Sequence, residues 1–356
     1  MRHYSNVLGA VLAAICLAAC EPEPAVTPSG DGIAAESGQQ HLMVLNEGSW
    51  GGNNASLSYF DIAKGEMVNG WFAAKNGRGL GDVAQDMVVY GSKAYVTVWG
   101  ANSLEVIDTA TGISRRVDLG ERGPRYIAAD GGKLYITCYK PHSVIRIDTA
   151  TLEVEATCTL GDFNPEGIAA VNGRLLVASS NISDEQGVYS YDNKVYLISI
   201  ATFSMIGTIE VGCNPQKVMA VDSTTAVVNY WGDYASEPAG TAVIDGAMGV
   251  TQLNLELSNM TVMNGNIYGY VTAWAPDYSS KTTSFVKIDP THNITPILTG
   301  FNKNAYAIGV HPVSGNIYVA DDGNAQTNGD LYCFNPDGSQ RWKREVGYWP
   351  SKIVFF

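Results

Sequence analysis

The residue types that ordinarily do chemistry are few and dispersed in this chain. Beyond residue 20 there are four histidines (His41, His142, His292, His311) and four cysteines (Cys138, Cys158, Cys213, Cys333). A structural zinc site or a vicinal redox pair needs such ligands clustered, and neither spacing occurs. The cysteines fall within apolar runs and read as small buried hydrophobes. Glu47, Glu166, Asn181, Asn229 and Asp321 offer oxygen ligands for a Ca²⁺ ion, but a polar residue is the ordinary occupant of a loop or strand end. What the chain has in quantity is aromatic rings in polar, turn-rich surroundings. "NYWGDYASEPAG" (229–240) sets Tyr230, Trp231 and Tyr234 among Gly, Asp, Ser and Pro, and comparable stretches carry Trp50, Tyr191, Trp274 and Tyr278. Such rings, beside the amides of Asn53, Asn54, Asn181 and Asn229, suit a broad, flat, partly apolar ligand with many neutral hydrogen-bonding groups. Arg78 and Arg125, or Lys217, would meet an anionic group on it. No catalytic residue and no metal site is assigned.

Charge narrows the partners. The 356 residues include 22 basic and 35 acidic side chains, a net charge of −13. A surface of that sign repels nucleic acid and anionic lipid, so no nucleic-acid partner is expected. Residues 1–19 combine one early Arg2 with an apolar run and read as a secretory signal too short to span a bilayer permanently. The "LAAC" that ends at Cys20 resembles a lipobox, which makes Cys20 the lipidated first residue of the mature protein. Residues 20–40 are rich in Pro, Gly, Ser and Glu and read as a flexible tether.

The body, residues 41–356, is repetitive. "PRYIAADGGKLYITCYKPHSVIRIDTATLEVEATCTLG" and "AQDMVVYGSKAYVTVWGANSLEVIDTATGISRRVDLG" both run as four short alternating segments, the third ending in "IDTAT". Equivalent turns start at Asp61, Asp108, Asp148, Ser199, Asp245, Asp289 and Asn335, a spacing of about 40 to 50 residues that is the period of a propeller blade. The expected fold is therefore all-β, a seven-bladed β-propeller of four-stranded blades. Six blades are complete, starting near Val83, Arg125, Glu166, Gln216, Asn259 and Asn304. The first has three N-terminal strands, "HLMVLNEG", "SLSYFDI" and "EMVNGWF". "WPSKIVFF" resembles the starts "GPRYIAA", "NPEGIAA" and "NPQKVMA", so the C-terminal strand should complete the first blade and close the ring.

Antiparallel strands place the short hairpins on one face and the long, aromatic second-to-third-strand loops on the other, with the segments that lead into each inner strand. Trp99 and Tyr139, in the shortest loops, are expected to pack between blades rather than face a ligand.

"LNEGSWGGNNASLSYFD", "GRGLGDVAQDMVVYGSKAYV" and the "VIDTATG" turns resemble the YncE-like seven-bladed propeller lipoproteins of Bacteroidetes, across residues 42–356. The acidic residues after Cys20 resemble the surface-export signals of that group and imply an outer-membrane lipoprotein facing the cell exterior. Within the family the chain resembles the BtuG-type members, which implies capture of cobalamin (vitamin B12) or a related corrinoid and delivery to a BtuB-like TonB-dependent transporter, without catalysis. Two alternatives use the same face: a glycan-binding surface lipoprotein of a polysaccharide-uptake system, and a metal-dependent propeller enzyme.

Overall fold

The seven recurring turns are built alike, and they set the architecture. In a computed structural model that describes residues 39–183, 189–274 and 281–356, Asp108 Oδ1 accepts from the amides of Ala110 (3.2 Å) and Thr111 (2.8 Å). Asp148 Oδ1 does the same for Ala150 (2.8 Å) and Thr151 (2.9 Å). Each turn then closes on a left-handed residue, in order Gly65, Gly112, Leu152, Phe203, Met248, His292 and Gly338. A side-chain-capped turn ending in a left-handed residue reverses the chain within a few residues, so the third and outer strands pair directly.

Seven antiparallel sheets result, each with four strands in order from the axis outward and one with an extra short strand. The first blade is Pro350–Phe355, His41–Asn46, Ser56–Asp61 and Glu66–Val68. Its inner strand is the C-terminal one, in register Met43 to Val354 and Val44 to Ile353. The ring is thus closed as the repeat predicts, and no blade is left with an open inner edge.

The core is divided among the blades. Seven hydrophobic clusters each draw on two neighbours, such as Met43, Leu45 and Leu57 of blade 1 against Met87, Val96 and Ile107 of blade 2. Alternation along each strand sends one face to each neighbouring blade, which is why the strands read as nearly unbroken apolar runs.

Three expectations are corrected. "EMVNGWF" is strand only over Glu66–Val68, because Gly70 turns left-handed and starts a helix, Trp71–Asn76. Trp71 and Phe72 are buried in the first cluster, and Trp71 stacks on Tyr59 at 5.1 Å. The connection after Ala178 is a β-arm, Arg174–Ser183 with Tyr189–Tyr191, rather than a loop, and the strands Asn266–Trp274 and Lys281–Ile288 are paired to their ends. Cys138, Cys158 and Cys333 are buried, as expected, and Cys213 is half-buried.

Both ends of the described body lie on one face. His41 and Phe356 exchange backbone hydrogen bonds (3.1 and 3.0 Å), whereas Asn46 and Pro350 meet at the opposite end of the blade. Among the described residues no helix is long and apolar enough to cross a membrane. Residues 1–19, the tether up to residue 38, Cys20 and Tyr278 lie outside the described residues, as does the side chain of Trp274.

Candidate functional site

One local device, repeated around the ring, builds the site. The residue that leads into the inner strand is left-handed in four blades: Trp349 (φ 56°), Val83 (51°), Gly123 (56°) and Asn214 (63°). For a β-branched valine that is a strained conformation, of the kind found where geometry serves a site. The carbonyl of each kink accepts from the amide of the residue at the mouth end of the second strand. Val83 O holds Trp99 N (2.8 Å), Gly123 O holds Tyr139 N (3.0 Å), Asn214 O holds Trp231 N (3.0 Å) and Trp349 O holds Glu47 N (2.8 Å). Rim side chains are thereby fixed by backbone.

Just inside the kink, six of the seven inner strands carry a one-residue bulge against the second strand, at Pro350–Lys352, Ala84–Asp86, Pro124–Ile127, Pro165–Ile168, Pro215–Val218 and Ala305–Ala307. A bulge re-aims side chains that regular alternation would send to the blade interfaces. The second strand caps it: Thr97 Oγ1 accepts from Asp86 N (3.1 Å), Thr137 Oγ1 from Tyr126 N (2.9 Å) and Asn229 Oδ1 from Lys217 N (2.9 Å).

Rim and bulges enclose a funnel of about 850 Å³ at the mouth of the central channel. Trp50 and Trp99 form one wall, their rings 4.4 Å apart, and Trp231 and the Tyr348–Trp349 pair form others. Trp50 is 69% exposed, so its face is free to receive a ligand. The floor is polar and carries Asp86, Arg125, Glu166, Lys217 and Lys352 with Tyr126 and Tyr306. Below it the channel continues as an apolar chamber of about 370 Å³ lined by the inner strands.

The floor charges are mostly paired between adjacent blades. Lys352 Nζ lies 2.8 Å from Asp86, and Arg125 bonds Glu166. Burial pushes the Glu166 carboxyl up, against the pull of the Arg125 guanidinium. Glu47 is also raised by burial, although the Tyr306 hydroxyl donates to it (3.0 Å). Lys217 is pushed down to about 7, first by burial and then by Lys352, with Asp86 opposing. Arg125 Nε is buried without a hydrogen-bond partner.

Of the ligand candidates read from sequence, Trp50, Trp231, Arg125, Lys217 and Asn229 line the funnel. Asn229 is buried, with its carbonyl on Lys217 N and its amide on Leu257 O (3.0 Å). The other candidates whose side chains are described lie elsewhere. Tyr230 fills the gap between Gly212 and Gly240, and its hydroxyl donates to Gln252 (2.8 Å). Arg78 forms a bidentate pair with buried Glu105, both contacts at 2.7 Å. Asn54 Oδ1 accepts from Ser49 N (2.8 Å) and Asn53 N donates to Asp82 (3.2 Å), so both shape the Trp50 loop. Tyr191 and Tyr234 make an exposed edge-on pair at 6.1 Å outside the funnel lining, and Asn181 sits beside them at the base of the arm. Trp99 lines the funnel instead of only packing between blades.

Asp86, Tyr126, Lys352 and Tyr306 were not among the sequence candidates. The aligned starts "PRY", "PQK" and "PSK" place Tyr126, Lys217 and Lys352 in one column, but the bulge that turns this column inward leaves no mark in residue type. The oxygen set weighed for Ca²⁺ is not gathered: Glu166 is held by Arg125 and Asp321 by Tyr332 and two backbone amides. Among the described residues no group of three or more His, Cys, Asp or Glu is placed to hold a metal.

Solved structures share this architecture at low identity, which speaks to the fold alone. A quinoprotein alcohol dehydrogenase-like protein from Bacteroides thetaiotaomicron superposes with a TM-score of 0.66 at 14% identity, over 89% of this chain and 78% of that one. A protein from Lactobacillus plantarum gives 0.59 at 13%, over 90% and 100%. Hydrazine synthase from Kuenenia stuttgartiensis gives 0.55 at 18%, over 69% and 74%. No curated protein sequence matches the chain. The model of DUF5074, a domain of unknown function, matches residues 40–356, and the chain belongs to that family.

Proposed function

We propose that this propeller is a ligand-capture protein whose funnel takes a corrinoid such as cobalamin, and that it does no covalent chemistry on it. The observation that carries the reading is the funnel itself, a wide mouth with exposed indole walls from several blades above a polar floor. A flat macrocycle fringed with amides presents apolar faces to such walls and hydrogen-bonding edges to the floor. Fixing the rim by backbone lowers the ordering cost of binding. The sequence resemblance to BtuG-type lipoproteins supplies the ligand class. Attachment to the outer membrane through Cys20, exposure to the exterior and transfer to a BtuB-like TonB-dependent transporter belong to the same proposal. Lipid labelling of the wild type and of Cys20→Ser tests the anchor.

Gel filtration after incubation with cyanocobalamin tests the ligand, since a bound corrinoid co-elutes as red colour in a one-to-one ratio. Colourless protein that instead binds immobilised polysaccharide would transfer the same rim to stacking on sugar rings.

A further inference from the structure

We propose that the floor of the funnel contains an oxyanion subsite at Lys217, which takes a carboxylate or phosphate group of the bound ligand. It rests on the mouth being a ligand site, and not on that ligand being a corrinoid.

The ring of floor residues repeats an interaction from one blade to the next. Lys352 of blade 1 reaches Asp86 of blade 2, and Arg125 of blade 3 reaches Glu166 of blade 4. At the third repeat Lys217 of blade 5 reaches blade 6, and finds Asn259: its Nζ donates to Asn259 Oδ1 at 2.7 Å. The amide is held in that orientation because Asn259 Nδ2 donates to the Tyr306 carbonyl (2.7 Å). So the third cation meets a neutral acceptor where its two counterparts meet a carboxylate. Among the described residues no carboxylate pairs with Lys217. The remaining unpaired floor charge, Glu47, is turned to the Tyr306 hydroxyl.

A cation aimed into a cavity and lacking its anion is stabilised by a ligand that brings one. The bulge at Pro215–Val218 aims Lys217, and Asn229 fixes its backbone, so the amine is set before a ligand arrives. Lys352 lies close enough to affect the Lys217 amine, and an anion beside Lys217 would relieve that repulsion as well as the desolvation. The groups facing it are Lys352 and Asp86 from one side, the Arg125–Glu166 pair across the channel, and the uncharged Tyr126 and Tyr306.

The test uses the purified protein without corrinoid, so its outcome is independent of the ligand proposed above. Sulfate and acetate are the probes, with chloride at equal ionic strength as the control, because their charges stay constant from about pH 6 to about pH 9. The ¹³Cε resonance that disappears in Lys217→Met should titrate near pH 7. Either probe should raise that midpoint by about one unit, equivalent to about tenfold preference for the charged amine. Stronger action by acetate assigns a planar carboxylate, and stronger action by sulfate a phosphate-like tetrahedral group. Lys217→Arg keeps the charge and should retain the probe-induced shift of the Asn259 amide, whereas Lys217→Met should need about tenfold more anion. An unmoved titration in the wild type, or an Asn259 response in Lys217→Met equal to the wild type, overturns the proposal. If Lys217→Met does not fold, the wild type and Lys217→Arg decide it.

Discussion

Lys217 couples the site to stability. Its folded form releases a proton near pH 7, while the unfolded chain holds that proton until about 10.5. Between those values the unfolded state binds more protons, so the stability contributed at this position rises with pH. Lys217→Met removes the group. Urea unfolding at pH 7, 8 and 9 should show the wild type gaining on the variant by up to about 1.4 kcal/mol per unit, and a pH-independent difference would contradict the account. Arg78 is the opposite case, a charge with a structural role. Its two bonds to buried Glu105 are supplemented by Arg116 and Ser114. Arg78→Ala should therefore cost about 1–3 kcal/mol of stability and leave ligand affinity unchanged, read by thermal unfolding and by a binding titration on the same sample. Residue type alone did not separate these roles. Arg78 and Arg125 are both arginines near an inner strand, and only the positions of Glu105 and of the bulge tell them apart. Trp50 and Trp231 were legible, because an exposed ring in a turn-rich loop has no buried surface to serve.

At the scale of the element, the kink and bulge act together. The kink carbonyl anchors a rim residue and the bulge points the next side chains down the channel, so neither tier depends on a flexible loop. The turns were readable because six of the seven begin with a side chain that accepts from a backbone amide of the turn. The bulges were not, since they arise from pairing between strands about a dozen residues apart. Tyr230 shows the same limit: it reads as a loop aromatic, yet its ring occupies the space over Gly212 and Gly240. A methyl group at Gly240 would collide with that ring, so Gly240→Ala should destabilise by about 1–3 kcal/mol. In a double-mutant cycle with Tyr230→Ala most of that loss should disappear; additivity of the two changes would remove the packing explanation.

The whole molecule is a closed ring in which each hydrophobic cluster belongs to two blades, so stability at one seam depends on both neighbours. The C-terminal strand carries the closure, pairing Leu42–Leu45 with Lys352–Phe355 and contributing Lys352 to the floor. Truncation before Pro350 should expose the edge of blade 1 and give insoluble protein, whereas a separately added Pro350–Phe356 peptide should recover part of it. Sedimentation of soluble and pelleted fractions measures both. Repeat spacing made the ring and its closure legible from sequence, and strand alternation placed the long loops on one face. It could not show how deep the mouth is, because depth is set by the bulges.

The central claim is that the aromatic funnel binds a corrinoid. Its most direct test is calorimetric titration of cyanocobalamin into three proteins: the wild type, Trp50→Ala/Trp231→Ala at the funnel wall, and Tyr191→Ala/Tyr234→Ala outside it. All four side chains are substantially exposed, so neither change should disturb the fold. The account predicts one-to-one binding by the wild type, weakened at least about tenfold by the wall variant, as expected for truncating central aromatic anchors, and little changed by the other. Absence of heat with the wild type, or equal affinity in the wall variant, would contradict it.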